Sequence, residues 1–356
     1  MLAAAVVGVW AASAAACSVP VFRYALERWR AEPYEAYVFH QGAPTPEEQK
    51  AIDRLKAAED FLDLRVIDLA AGPDAEAANV WESRPGAKPP WLVVRYPRGF
   101  GLEADAWAGP LGAEAVGAVL DSPARRAVAR RILEGECAVF VLLESGDREK
   151  DDATARLLEE ELAKLAKTLR LPEPPDGVWD DPVYDRQGAP PNLRVAFSMV
   201  RVSRKDPAER GFVRMLDVGE EDVASATGPV VFPFYGRGRA LTALAGENLD
   251  AESIAAACEF FVGPCSCIIK GRAPGLDILM TVDWDAALAG EASAIPVVAP
   301  PPLAGVSEFI PGEVQGEPPP PEGDGSLVRN ILLAAGGGIV IAAVAALAMR
   351  RKSRSA

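Results

Sequence analysis

The arrangement that most restricts the fold is a succession of apolar runs and helical stretches that occurs twice in 356 residues, without sequence identity between the copies. In the first copy YEAYVFH (34–40) precedes the helical stretch PEEQKAIDRLKAAED (46–60), the run LDLRVIDL (62–69), a short variable segment, and the run PPWLVVRYP (89–97). A strand-like piece around Asp105 to Ala108 and a helix from about Ala113 complete it. The second copy reads CAVFVLLE (137–144), DDATARLLEEELAKLAKTLR (151–170), LRVAFSMVRVS (193–203), DPAERGFVRML (206–216), GPVVFPFYG (228–236), RALTALAG (239–246) and DAESIAAACEFF (250–261). Both copies run strand, helix, strand, helix, strand, strand, helix. Short apolar runs alternating with helices are strands buried between helix layers. In the long second-copy helix, Leu157, Leu158, Leu162, Leu165 and Leu169 form a single apolar face, and the acids from Asp147 to Asp152 suit its N-terminus.

This order resembles the thioredoxin fold. Each copy has a proline immediately before its third strand, Pro89 or Pro90 in the first and Pro229 in the second, where that family carries a cis-proline facing its redox motif. The resemblance covers residues 34 to about 262. It implies tandem thioredoxin-like domains over 34–134 and 135–295. The family's Cys-x-x-Cys belongs between the first strand and the first helix. Here those positions read HQGAPTPEEQ (40–49) and ESGDREKDD (144–152), with no cysteine in either. The resemblance therefore implies a fold without its standard oxidoreductase chemistry, with no catalytic residue and no cofactor.

The two ends read as membrane-directed. Residues 2–16, LAAAVVGVWAASAAA, are apolar, uncharged and too short for a span of about 20 residues, as in a secretory signal occupying 1–16. Ala14 and Ala16 make a small-x-small cleavage pattern, while Ala15-Ala16-Cys17 reads alternatively as a lipobox in which Cys17 becomes the acylated N-terminus. The N-terminal segment 17–33 begins CSVPVFRYALERW, which is similar to the opening of membrane-anchored envelope proteins of planctomycete-type bacteria. At the other end, ILLAAGGGIVIAAVAALAM (331–349) carries no charge and would extend about 28 Å as a helix. A transmembrane helix is expected over 327–349, with a basic cytoplasmic tail over 350–356. Ala334, Gly338, Ala342 and Ala346 share one face of it, an arrangement suited to a homodimer through paired helices. The proline-rich segment 296–326 reads as a stalk of up to roughly 90 Å. The expected fold class is thus α/β, two tandem thioredoxin-like domains plus a C-terminal single transmembrane helix, in the bacterial cell membrane with an extracytoplasmic ectodomain.

The net charge of −14 argues against a nucleic-acid partner. His40 is the single histidine, which disfavours a histidine metal site or a Ser-His-Asp triad. Of the five cysteines, Cys137 begins a central strand, where a buried inert thiol is expected. Cys258, Cys265 and Cys267 cluster at and after the end of the DAESIAAACEFF helix. They suit a structural disulfide, a redox pair activated by Lys270 and Arg272, or a soft-metal ligand set lacking a fourth ligand nearby. The turn GRGR (236–239) offers Arg237 and Arg239 to an anion, or is an ordinary glycine hairpin. His40, at the end of a first strand, stands where ligands gather in open sheets. DILMTVDWD (277–285) reads as a last strand anchored by a tryptophan. Together these features favour a non-enzymatic protein that binds or scaffolds an envelope or membrane protein. The alternative is a thiol oxidoreductase or metal carrier using Cys258, Cys265 and Cys267.

Overall fold

A computed structural model describes residues 20–102, 104–172, 194–217, 226–264 and 275–291. A short helix, α1 (Val21–Arg28), precedes the first copy, which comprises β1 (Tyr34–His40), α2 (Pro46–Lys56), β2 (Leu62–Asp68), α3 (Ala75–Glu82), β3 (Trp91–Arg95), β4 (Asp105–Pro110) and α4 (Ala113–Leu120). Helix α5 (Pro123–Leu133) leads into β5 (Ala138–Glu144), α6 (Arg148–Thr168), β6 (Phe197–Ser203), α7 (Arg210–Leu216), β7 (Val230–Tyr235), β8 (Arg239–Ala240), β9 (Leu244–Ala245) and α8 (Ala251–Val262). The strand β10 (Leu276–Asp277) and the helix α9 (Trp284–Glu291) follow.

The strands form two sheets. The first has the order β2-β1-β3-β4, and the second the order β10-β8-β7-β5-β6 with β9 also on β7. In each sheet one parallel pair, β1 with β2 or β5 with β6, continues into antiparallel neighbours. The Pro89–Pro90 peptide, just before β3, is cis, and Pro229 is not preceded by a cis peptide.

The chain is mixed α/β, and the fold class requires a correction: among the described residues no helix is long and apolar enough to cross a membrane. The longest, α6, has 21 residues, but it buries one leucine face and turns a densely charged face to water. The expected C-terminal transmembrane helix is therefore not among the described elements. The run 331–349 lies outside the described residues, as do the signal 1–16, Cys17 and the stalk 296–326.

Two local departures from the apolar pattern have clear causes. RALTALAG forms two short pieces, β8 and β9, instead of one strand. Pro233 of β7 accepts from the Leu241 N–H through its carbonyl but has no N–H to return, so the ladder breaks there. Of DILMTVDWD only Asp277 is strand, the second of the two residues of β10. Asp283 then accepts from the Ala286 N–H at 2.8 Å, so that Trp284 opens a helix.

Alternation along the strands divides the core. On β1, Tyr34, Ala36 and Val38 face one apolar cluster while Tyr37 and Phe39 face another. On β5, Val139, Val141 and Leu143 join the cluster that holds Tyr34, whereas Ala138, Phe140 and Leu142 face away. The shared cluster takes in both sheets and the helices between them, α2, α4, α5 and α7. Helix α3 covers the outside of the first sheet, and α1, α6 and α8 cover the outside of the second. Helix α2 forms locally because Thr45 and Glu48 make a reciprocal capping box and Pro46 stands in the first turn, with Ala51, Ile52 and Leu55 on the buried face.

Polar groups fasten this middle layer. The buried Arg125 donates from Nη1 to the carbonyls of Val119 and Leu279, both at 2.8 Å, and from Nη2 to that of Ala118 at 2.8 Å. Desolvation pushes its guanidinium down to about 10. The Tyr96 hydroxyl donates to the Met215 carbonyl and the Tyr34 hydroxyl to the Asp277 carbonyl, each at 2.8 Å. The guanidinium groups of Arg210 and Arg214 lie 5.1 and 5.0 Å from the Trp107 ring. Where α7 crosses α4, a Cβ on Gly211 would sit 1.9 Å from the Ala118 carbonyl oxygen, so only glycine permits the approach.

Arg125→Ala strands three buried carbonyls and should lower the unfolding free energy by about 3 kcal/mol. Gly211→Ala should cost about 1–3 kcal/mol by forcing the helices apart. Urea unfolding checks both, and a loss under about 0.5 kcal/mol in either would remove that residue from the account of the interface.

Candidate functional site

The sites implied by the sequence are the loops that leave β1 and β5 for their following helices. In the first, His40 ends β1 opposite Asp68 of β2. Its Nδ1 lies 2.8 Å from the Gly42 carbonyl, to which it donates. The Asp68 carboxylate accepts from the N–H groups of Ala70, at 2.9 Å, and Gly42, at 3.3 Å. Those bonds hold its carboxyl below the usual carboxylate range. Gly42 takes a φ of 77°, which glycine adopts without strain.

The second loop reaches the same shape by another route. Gly146, also two residues past its strand, has a φ of 91°. The carboxylate that closes this loop comes from the helix: Asp151, 3 % exposed, accepts from the Ser145 N–H and hydroxyl, both at 2.8 Å, and from the Gly146 N–H at 3.0 Å. Asp147 caps α6 by accepting from the Glu149 and Lys150 N–H groups. On the solvent side Arg201 bridges Glu144 at 2.6 Å and Asp152 at 2.8 Å. Each loop thus spends its backbone donors on a carboxylate from its own copy, and neither presents a thiol. Sequence reading passed over Asp68 and Asp151; an acid spaced to reach back to a positive-φ glycine was the available signal.

Arg237 and Arg239 face inward. Arg237 donates from Nε to the Leu26 carbonyl at 2.7 Å and from Nη2 to the Glu27 carbonyl and to Asp285 at 2.6 Å. It thereby caps the C-terminus of α1, and it holds the Asp285 carboxyl below the usual range. Arg239 is paired with the buried Asp277 at 2.9 Å and lies 5.6 Å from the Phe100 ring. The turn itself brings Gly236, φ 58°, against Ala25, and Gly238, φ 90°, against Met280. The anion cradle expected here is a packed hairpin whose two guanidinium groups bind the protein itself.

Cys137 and Cys258 are both free and buried, in the same apolar cluster as Phe140, Leu158 and Phe261. Cys258 is free, with its thiol in the core behind α8, and the partners expected for its bridge are not among the described residues. Cys265 and Cys267 lie outside the described residues. Burial raises the Cys137 thiol from an ordinary 9.0 to about 11 and pushes that of Cys258 well up too, the opposite of the activation a redox cysteine needs.

Among the described residues no three His, Cys, Asp or Glu side chains gather so as to hold a metal ion. A groove of ≈ 410 Å³ runs beside β2, lined by Pro33, Lys56, Glu59, Leu62, Asp63, Leu64 and Val66.

Asp151→Ala leaves the Ser145 and Gly146 N–H groups without their acceptor and should cost about 2–3 kcal/mol, against under about 1 kcal/mol for His40→Ala. Comparison of the two by urea unfolding tests whether the second loop depends on its carboxylate. The thiols give a pH signature. Unfolded thiols ionise near pH 9 and the folded Cys137 thiol only near about 11, so their contribution is complete below 9 and is lost as pH rises through the folded value. Stability should fall between about pH 9 and about pH 11, and less steeply in the Cys137→Ala/Cys258→Ala variant; equal slopes would contradict the burial of both thiols.

No protein-family model matches the chain, and no curated protein matches it either.

Proposed function

We propose that the protein is a non-enzymatic binding or scaffold protein acting outside the cytoplasm in the bacterial envelope, built from two thioredoxin-like units that have lost the redox motif. The observation that carries this reading is the pair of sealed loops. In the fold it resembles, the β-to-α loop carries reactive sulfur. Here Asp68 and Asp151 consume the loop donors, and no cysteine stands in either segment. The burial of Cys137 and Cys258 argues in the same direction, since a thiol held protonated in an apolar layer is a poor nucleophile.

With the loops closed, the surface left for function is made of sheet edges and charged helix faces, the kind of surface that meets another protein. The apolar segment 2–16 supports export, and the net charge of −14 supports a protein partner over a nucleic acid.

Two measurements on the full chain bear on this. In a disulfide-reduction assay with a dithiol donor, turnover should equal that of the uncatalysed reaction; turnover lost on Cys258→Ser would replace the reading with a thiol oxidoreductase. Photo-crosslinking from surface positions in intact cells should give one reproducible envelope companion. Absence of any companion from every surface position would count against a scaffold.

A further inference from the structure

The edges of the first sheet differ. On one side β4 is covered by α7, which packs against it. On the other, β2 is the terminal strand, and no described element pairs with its outer side. The Leu69 N–H donates to the His40 carbonyl at 2.9 Å and the Tyr34 N–H to the Phe61 carbonyl at 3.0 Å, so Phe61, Leu69 and the odd-numbered residues between them direct their backbone toward β1. By alternation, the N–H and C=O groups of Leu64 and Val66 point outward. Strands normally guard such an edge with a bulge, a proline or a lysine. LDLRVID has none of these, pairs with β1 in unbroken register, and carries Val66, an exposed large hydrophobic residue, at 39 % exposure.

We propose that β2 pairs antiparallel with β2 of a second copy of this chain about a two-fold axis at Leu64, joining the two first sheets into one. The charge pattern selects this register. With Leu64 opposite Leu64 of the second copy, Asp63 stands opposite Arg65, and the axis repeats the pair. These fall at a non-hydrogen-bonded position, where side chains approach most closely, with Cα atoms about 4.5 Å apart. Asp63 is exposed and has no ion-pair partner among the described residues. Arg65 already lies over the Tyr37 ring on the outer face, between Asp74 and Glu76.

The inner face fits as well. Leu62 comes opposite Val66, so the valine of each copy enters the groove bounded by Pro33, Lys56, Glu59 and Leu62 of the other. The backbone is equally matched. Leu64 exchanges N–H and C=O with its symmetry mate, and the Val66 N–H donates to the Leu62 carbonyl. The Leu62 N–H is already given to the Ala58 carbonyl at 3.0 Å and is not required. Shifting the pairing by two residues, the smallest step that keeps outward backbone groups facing each other, would set Asp63 opposite Asp63 or Arg65 opposite Arg65 of the second copy. This pairing stands whether or not the scaffold reading does.

The test is sedimentation equilibrium of the full chain. The wild type should dimerise. Asp63→Arg sets two guanidinium groups opposite each other across the axis, and Arg65→Asp sets two carboxylates opposite each other, so each substitution alone should weaken association about tenfold or more. An equimolar mixture of the two variants restores opposite charges across the pairing and should dimerise. Val66→Pro removes only an outward N–H, so it should fold and remain monomeric, which keeps the test decisive if Arg65→Asp fails to fold. Amide exchange at Leu64 and Val66 should slow as protein concentration rises. A monomeric wild type, variants that associate as tightly as the wild type, or protection of those amides in a monomer would each overturn the proposal. The last of these would assign the edge to another segment of the chain or to a different protein.

Discussion

The Arg125 guanidinium, buried among backbone carbonyls, is the constraint around which the two sheets are organised. It takes the carbonyls at the end of α4, reaches across to Leu279, and so joins a helix packed on the first sheet to the segment that follows β10 of the second. An arginine in an apolar layer is costly unless its donors are used, and here three carbonyls use them. The same layer imposes the glycine at 211, because α7 and α4 come too close for any side chain there. Two sheets that could each have closed over their own helices therefore share one apolar interior.

The N-terminal helix follows from a second buried guanidinium. Helix α1 precedes the first sheet in sequence but packs on the outside of the second, beside α8. Arg237 satisfies its last carbonyls, the Val21 N–H bonds to the Gly263 carbonyl at 3.0 Å, and Trp29 packs edge-on to Tyr235. The chain thus crosses from the second sheet to the first and back again, which ties the copies together at their ends as well as at their middle.

The two β-to-α loops show one backbone requirement met by different means. Each has a glycine in the left-handed region two residues past its strand, with an N–H that needs an acceptor. In the first copy the neighbouring strand supplies Asp68; in the second the helix supplies Asp151. The second acid is the more buried, because Ser145 adds its hydroxyl to the same carboxylate. A loop closed in this way has little room to present a nucleophile, and its carboxylate serves as a local staple.

Sequence alone determined the elements whose signals are local. Apolar runs flanked by turn residues placed β1 at 34–40 and β2 and β5 within a residue of their ends, and the helical stretch beginning at Pro46 placed the start of α2. The absence of cysteine from both loops was likewise readable from the residues. Tertiary structure decided what depends on contacts between distant parts of the chain. It split RALTALAG opposite Pro233, made Trp284 a helix start, turned Arg237 and Arg239 inward, and buried Cys258 beside Cys137. In each case the local residues permit more than one outcome, such as an exposed arginine or a capped helix. The choice falls to whichever long-range partner removes a polar group or an apolar side chain from water.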